Sequence, residues 1–393
     1  MHVVDVVVLL GVCVGHITLL SISNNWWFAL ALPHRFLTFL RVLHGVLVLG
    51  GIAAFIYAYP LTLSLPAAAA SHNIVGTAAP LYADLCAAVA FVGVPVVTAI
   101  RLLKPNPAVL LSNHRQTFDV ARELGYKPAG TGKYRLLAKL PFNQVFQVEL
   151  AEQTLWLPRL PAAWDGLTIL HVSDLHLCGS PDKIFYQRVL ERCRDWQPDI
   201  IAFTGDLVDS DKHHRWILPV LGKLRWRIAG FAILGNHDSW HEPGVLRRRL
   251  RRCGYDVLNN RWTQIQVRGQ PLVVVGHEGP WFRPAPDMLG CPDGPFRLCL
   301  SHTPDNIAWA RQHNIDLVLA GHNHGGQIRF PLIGSVLVPS SYGTRYDCGI
   351  FYEPPTVLHV SRGLAGQHPL RYNCRPEVSR LILKARKDAN TSA

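Results

Sequence analysis

Residues 167–176 read Leu-Thr-Ile-Leu-His-Val-Ser-Asp-Leu-His, and the reading of this stretch decides the fold. A short apolar run containing Thr, Ile and Val stops abruptly at polar residues, which predicts a buried strand opening onto Asp174 and His176. The same figure recurs four times downstream. Asp199-Ile-Ile-Ala-Phe-Thr204 runs into Gly205-Asp206, and Ile228-Ala-Gly-Phe-Ala-Ile-Leu234 runs into Gly235-Asn-His-Asp238. Leu298-Cys-Leu-Ser301 runs into His302, and Ile315-Asp-Leu-Val-Leu-Ala320 runs into Gly321-His-Asn-His324. Most of these strands are followed by a helical stretch, so the fold class is α/β. In such layers, ligands collect where the carboxyl ends of the strands converge.

Five predicted strands thus each deliver Asp, Asn or His to one edge. Oxygen and imidazole donors without thiolate suit Mn, Fe, Zn or a similar divalent ion. Glycine beside the donors lets the backbone turn without a Cβ clash. A single D-x-H or G-D is more often a cap or a turn; five such sites in order, each after a strand, are not explained that way.

The charge balance divides the chain. It has 393 residues and a net charge of +12, yet residues 1–100 hold only Asp5, Arg35, Arg41 and Asp84 as charged groups. The whole positive excess therefore lies beyond residue 100. Three apolar stretches fill the first part, at about 6–22, 42–65 and 81–103. A membrane-spanning helix needs about 20 predominantly apolar residues, which the second and third meet. The first is interrupted by His16 and followed by Ser23-Asn-Asn25; it lacks the basic start and cleavage site of a signal peptide. Lys and Arg cluster after the third stretch, from Arg101 to Lys139, and are absent between the second and third. The positive-inside rule then predicts an outside N-terminus, three crossings, and the large domain on the cytoplasmic face of the inner membrane. The nine cysteines include no C-x-x-C pair, so neither a disulfide framework nor a zinc knuckle is expected.

The ordered set D-x-H, G-D, G-N-H-D, H and G-H-x-H resembles the calcineurin-like metallophosphoesterase superfamily over about residues 165–385. The extended Gly321-His-Asn-His-Gly-Gly-Gln327, with Ser301-His-Thr-Pro-Asp305, Val360-Ser-Arg-Gly363 and Asn373-Cys-Arg-Pro-Glu377, resembles its membrane-associated bacterial YaeI/YkuE-like branch. The resemblance implies a four-layer α/β/β/α sandwich of two mixed sheets, here preceded by N-terminal transmembrane helices. It implies two divalent metal ions, with Mn favoured over Fe or Zn. Asp174, His176 and His324 would hold one ion, Asn236, His302 and His322 the other, and Asp206 would bridge them. His237 would lie over the substrate as a catalytic group, with Asp238 orienting its imidazole. Some relatives cleave the pyrophosphate bond of UDP-2,3-diacylglucosamine in lipid A synthesis. One such type carries Arg where this chain has His237, a departure that puts the likeness to that type in doubt.

The expected organisation is a membrane anchor over 1–103, a connector over 104–160 with a possible strand at Val145–Leu150, a metallophosphoesterase domain over 161–385 ending in an extra strand pair around 356–384, and a flexible tail over 386–393. The expected activity is a phosphodiesterase or pyrophosphatase acting at the membrane on a phosphoester, such as a lipid-linked nucleotide. A general phosphodiesterase or phosphomonoesterase on soluble substrates, and a non-catalytic metal-stabilised envelope-binding module, are the alternatives. Nucleic acid is a poorer partner, since no basic-aromatic interleaving occurs. Of the other conspicuous residues, His213 and His214 read as an exposed loop, His171 as core or supporting, and Cys178 as packing. Arg329 reads as either a phosphate contact or a salt bridge. The run Val245–Cys253 reads as a surface helix with a basic face, solvated or on anionic lipid, and Trp281-Phe282 as core or acyl-chain contact.

Overall fold

The computed structural model describes residues 3–64 and 74–385; the tail expected at 386–393 lies outside the described residues. The chain divides into two units, one of residues 1–105 with 330–343, the other of 106–329 with 344–393.

The first unit contains three helices long and apolar enough to cross a membrane: Val3–Ala29, His34–Tyr57 and Ala79–Leu103. The first is longer than the apolar stretch that announced it, because its polar residues have partners inside the unit. His16 is buried, with Nδ1 2.7 Å from the Tyr82 hydroxyl and Nε2 3.0 Å from the Leu47 carbonyl. Asn25 donates to the Val336 carbonyl and accepts from the Val338 N–H, at 2.9 and 2.8 Å. A polar group at membrane depth is tolerated when a neighbouring helix satisfies it. The third helix opens into a π turn at Val89–Gly93, next to Pro95, which has no N–H to return to the preceding turn.

The second unit holds two mixed sheets. The first sheet runs β1 (Leu110–Asp119), β2 (Gln147–Trp156), β15 (Glu377–Lys384), β3 (Thr168–Val172), β4 (Ile200–Thr204), β5 (Ala229–Ile233) and β6 (Asp256–Val257). The second runs β13 (Gly349–Glu353), β14 (Thr356–Val360), β10 (Leu317–Ala320), β9 (Phe296–Ser301), β8 (Gln270–His277) and β7 (Trp262–Val267). Two short strands, β11 (Arg329–Phe330) and β12 (Gly334–Ser335), pair with each other. The stretch expected as a connector contains β1 and β2, both within the first sheet. The strand pair expected around 356–384 is not a pair: β14 joins the second sheet, beside β10, and β15 inserts into the first, between β2 and β3.

Strand periodicity explains why the motif strands are predominantly apolar. In β4, Ile200 and Ala202 face the core between the sheets, packed with Leu298, Leu300, Leu317 and Leu319. Ile201 and Phe203 point the other way, onto Val189, Leu190, Leu246 and Leu250 of the covering helices. Alternate residues leave opposite faces, so a strand covered on both sides is apolar at nearly every position, and a polar residue there needs a buried partner. Strands β3, β4, β5 and β6 are mutually parallel, as are β8, β9, β10 and β14.

A buried polar link joins the two sheets. His171 on β3 and His359 on β14 approach through their Nδ1 atoms at 2.8 Å, and His171 Nε2 lies 2.9 Å from Thr204 Oγ1. Burial lowers the His359 pKa to about 4; Glu377 pulls the other way, and Arg115 and Arg362 add to the lowering. An unfolded histidine titrates near 6.5. Between these values the unfolded chain binds a proton that the folded one excludes, so stability falls as pH drops from about 6.5 to 4, by about 3 kcal/mol from this group. Denaturant unfolding at pH 7 and pH 4.5 should show this loss, and His359→Gln should lack that share; an equal loss in the variant contradicts the assignment.

Candidate metal centre

The parallel strands bring their carboxyl ends to one edge, where five loops converge. β3 delivers Asp174 and His176, β4 delivers Asp206, and β5 delivers Asn236, His237 and Asp238. His302 follows β9, and His322 and His324 follow β10. These residues are distant in sequence and come from both sheets.

Three groups of possible donors result, one of them His176, Asp209 and His237, and Asp206 belongs to the other two. Asp174, His176, Asp206 and His324 have one donor atom apiece within 4.8 Å of one another, and so do Asp206, His302 and His322. His176 Nε2 lies 3.2 Å from His324 Nε2 and 3.4 Å from Asp206 Oδ2. On the other side, His302 Nε2 lies 3.4 Å from Asp206 Oδ1 and 2.9 Å from Asn236 Oδ1. The Asp206 carboxylate therefore turns one oxygen to each of its two groups. Asp206 Oδ2 is buried with no hydrogen-bond partner among the described residues. Electron-pair donors gathered this tightly, away from water, need a cation or proton among them. The donor set of imidazole, carboxylate and amide oxygen fits two divalent ions in the first row of transition metals.

The backbone is shaped to this purpose. Asp174, His176, Asp206, His322 and His324 all have φ between +44° and +69°. Non-glycine residues rarely occupy that region, and each instance carries a conformational cost. The glycines of the motifs allow close approach: a Cβ on Gly235 would overlap Asp206 Oδ1, and one on Gly321 would overlap Ser173 Oγ and Asp174 Oδ2.

Groups behind the donors set their tautomers. His302 Nδ1 donates to the Thr204 carbonyl at 2.7 Å, which leaves Nε2 to face Asp206. His176 Nδ1 donates to Asp209 Oδ2 at 3.0 Å, which turns Nε2 toward His324 and Asp206. His237 Nδ1 donates to Asp209 Oδ1, and its backbone N–H donates to Asp206 Oδ1 at 2.9 Å. Asp209 is the residue that sequence reasoning missed: it lay in a polar stretch taken for an exposed loop, and only its position three residues after Asp206 hinted at the site. The orienting role expected of Asp238 is corrected accordingly. The Asp238 carboxylate is fully buried and accepts from the N–H groups of Leu207 at 2.8 Å and Gly235 at 2.9 Å, so it fixes the ligand loops instead of the imidazole.

Electrostatics follow from this crowding. Burial works against charge on His176 and His302, but the surrounding carboxylates outweigh it and raise each to about 9: Asp209 and Asp206 for the first, Asp206 and Asp174 for the second. Burial likewise opposes ionisation of Asp206 and Asp209; their histidine partners hold both well below the usual carboxylate range. Burial, then the adjacent Asp206 charge, raises Asp238 to about 7 despite its backbone hydrogen bonds. Burial pushes the Cys178 thiol to about 11, consistent with a packing role.

The remaining conspicuous residues have structural partners. His214 is buried, not exposed, and Arg329 donates to Asp347 Oδ2 at 2.8 Å and to the carbonyl of Gly325 in the ligand loop at 3.1 Å. In the helix Pro243–Arg252, Arg247 forms a two-pronged pair with buried Glu278, both contacts at 2.7 Å. Trp281 packs beside the donors, its ring 4.8 Å from that of His322 and 5.4 Å from that of His302.

Two outcomes are expected. Cation uptake at pH 7 releases protons from His176 and His302, so affinity climbs with pH toward about 9; calorimetry in buffers of different ionisation enthalpy reads the proton count, and zero release contradicts the assignment. Asp209→Asn weakens the ion held by His176 by roughly 10- to 100-fold, as loss of such a supporting partner does elsewhere. Unchanged titration curves would contradict it.

Comparison with known proteins identifies the family. Residues 167–326 match the family described as calcineurin-like phosphoesterase. The chain is 29% identical over 247 residues to the uncharacterized metallophosphoesterase YkuE of Bacillus subtilis, covering 61% of this chain and 86% of that protein. It is 30% identical over 220 residues to the phosphodiesterase YaeI of Escherichia coli, covering 55% and 81%. It is 24% identical over 279 residues to the UDP-2,3-diacylglucosamine pyrophosphatase LpxG of Chlamydia muridarum, covering 56% and 85%. A chain with this motif order, two mixed sheets and three apolar N-terminal helices belongs to the calcineurin-like phosphoesterase family, in its membrane-associated branch.

Proposed function

We propose that this phosphoester hydrolase is a two-metal phosphodiesterase or pyrophosphatase that cleaves a P–O bond of a substrate held at the membrane surface. The observation that carries the reading is the Asp206 carboxylate, whose two oxygens lie 3.4 Å from imidazole nitrogens of two separate donor clusters. Asp174, His176 and His324 would hold one ion with it, and Asn236, His302 and His322 the other. Manganese is the proposed occupant. Such ions, when bound, supply positive charge for the phosphate and make water a nucleophile near neutral pH.

The protein's own groups complete the chemistry. Asp209 accepts from Nδ1 of His237, so Nε2 is the nitrogen left to meet substrate. Burial disfavours the imidazolium of His237, but Asp209 and Asp206 outweigh it and raise its pKa. An imidazole held in this way by Asp209 is placed to give a proton to the departing oxygen. The ring of Trp281, beside His302 and His322, offers an apolar wall to whatever the phosphate is attached to.

The proposed substrate is a lipid-linked nucleotide such as UDP-2,3-diacylglucosamine. The likeness to LpxG supports it, together with helices that would keep the enzyme where such a molecule resides. The placement proposed is the inner membrane, multi-pass, with the hydrolase on the cytoplasmic side, supported by the Lys and Arg that follow the third helix.

The test is turnover by the purified full-length protein of UDP-diacylglucosamine and of bis-p-nitrophenyl phosphate, with manganese titrated in. Metal-dependent hydrolysis is expected for both, with the lipid-linked substrate preferred. His237→Ala should lower kcat by about 10²- to 10⁴-fold on a poor leaving group and less on p-nitrophenolate, which needs no proton. Inertness toward both substrates with metal bound contradicts the reading.

A further inference from the structure

Residues 330–343 read Phe-Pro-Leu-Ile-Gly-Ser-Val-Leu-Val-Pro-Ser-Ser-Tyr-Gly, without a single charge. The catalytic chain enters this segment six residues after His324, yet the segment belongs to the unit of the apolar helices. It is fastened there at two points. The Asn25 side chain, in the last turns of the first helix, spans the backbone of Val336 and Val338. Arg101, near the end of the third helix, donates to the Ile333 carbonyl at 2.7 Å and to Ser335 Oγ at 3.3 Å. Gly334 has a φ of +79° and lies under that guanidinium, where a Cβ would overlap it.

Before and within these fastenings the segment turns apolar side chains outward. Leu332 is 71% exposed, Leu337 53% and Phe330 51%. A cluster this apolar is unusual on a surface meant for water. Its depth is set by its neighbours. Asn25 precedes Trp26 and Trp27, whose rings meet edge to face at 5.1 Å, and Trp26 is itself exposed. Paired tryptophans and an arginine at helix ends mark the boundary between headgroups and acyl chains.

We propose that residues 330–343 form an interfacial hairpin that lays Phe330, Leu332 and Leu337 into lipid at the headgroup–acyl boundary. The hairpin is hydrogen-bonded to helices that themselves expose Ile22, Trp26, Ile100 and Leu103, so one lipid phase would cover both. The hydrolase chain is then attached to the bilayer twice, through Pro105 at the end of the third helix and through this excursion from the ligand-bearing loop after β10. The second attachment is unlike a spanning helix: it lies in the surface and is held by side-chain-to-backbone hydrogen bonds.

The experiment uses the full chain in nanodiscs, with an environment-sensitive fluorescent residue in place of Leu332 introduced by codon suppression. Lipids brominated at different acyl depths and aqueous iodide serve as quenchers. Blue-shifted emission is expected, quenched most by bromine near the headgroups. Emission at the aqueous wavelength, quenched by iodide and by no brominated lipid, overturns the proposal. The readout does not involve turnover, so failure of the hairpin and failure of the phosphoesterase reading are separate results.

Discussion

Everything at the centre of this molecule depends on one buried carboxylate with two directions of use. Asp206 is almost wholly enclosed, and its oxygens face different sets of imidazoles. Burying a lone carboxylate is costly unless positive charge compensates it. The histidines on either side supply that compensation in part, and two cations between the donor groups would supply it fully. The same demand accounts for the strained backbone: five of the seven candidate ligands take left-handed φ values, a conformation that persists only where the surrounding structure over-determines it. The two sheets provide that rigidity, since the ligand loops leave the ends of parallel strands packed on both faces.

Behind the donors lies a layer that does more than fill space. Asp209 receives N–H groups from His176 and His237 at once, so a single carboxylate fixes the tautomer of a candidate ligand and holds a candidate acid. Asp238 does a different job, tying the loops after β4 and β5 together through backbone N–H groups. Two acids of the same type, within 30 residues of each other, thus serve imidazole and backbone respectively. The distinction follows from which donors each carboxylate can reach.

Much of this was legible in the sequence. The five strand-to-polar junctions were visible because a strand buried on both faces is apolar at nearly every residue, so a run of polar residues marks its end. The three apolar helices were visible for the related reason that lipid tolerates so few charges. Less legible were features set by tertiary contacts. Asp209 resembled any acid in a polar loop, since its partners are 28 and 33 residues away. The split of β14 and β15 between two sheets was hidden because alternation reveals a strand and not its neighbour. His214 looked exposed among charged residues, yet its ring is buried. The full length of the first helix was obscured by Ser23-Asn-Asn25, whose tolerance depends on backbone groups more than 300 residues away.

The account therefore rests on Asp206 serving two ions at once, and direct metal analysis of the purified chain tests this. Elemental analysis, paired with anomalous scattering from crystals of the manganese-loaded protein, should give two ions per chain on either side of that carboxylate, and Asp206→Ala should reduce the occupancy of both. A single ion, or two ions whose occupancy is indifferent to the loss of Asp206, would contradict it.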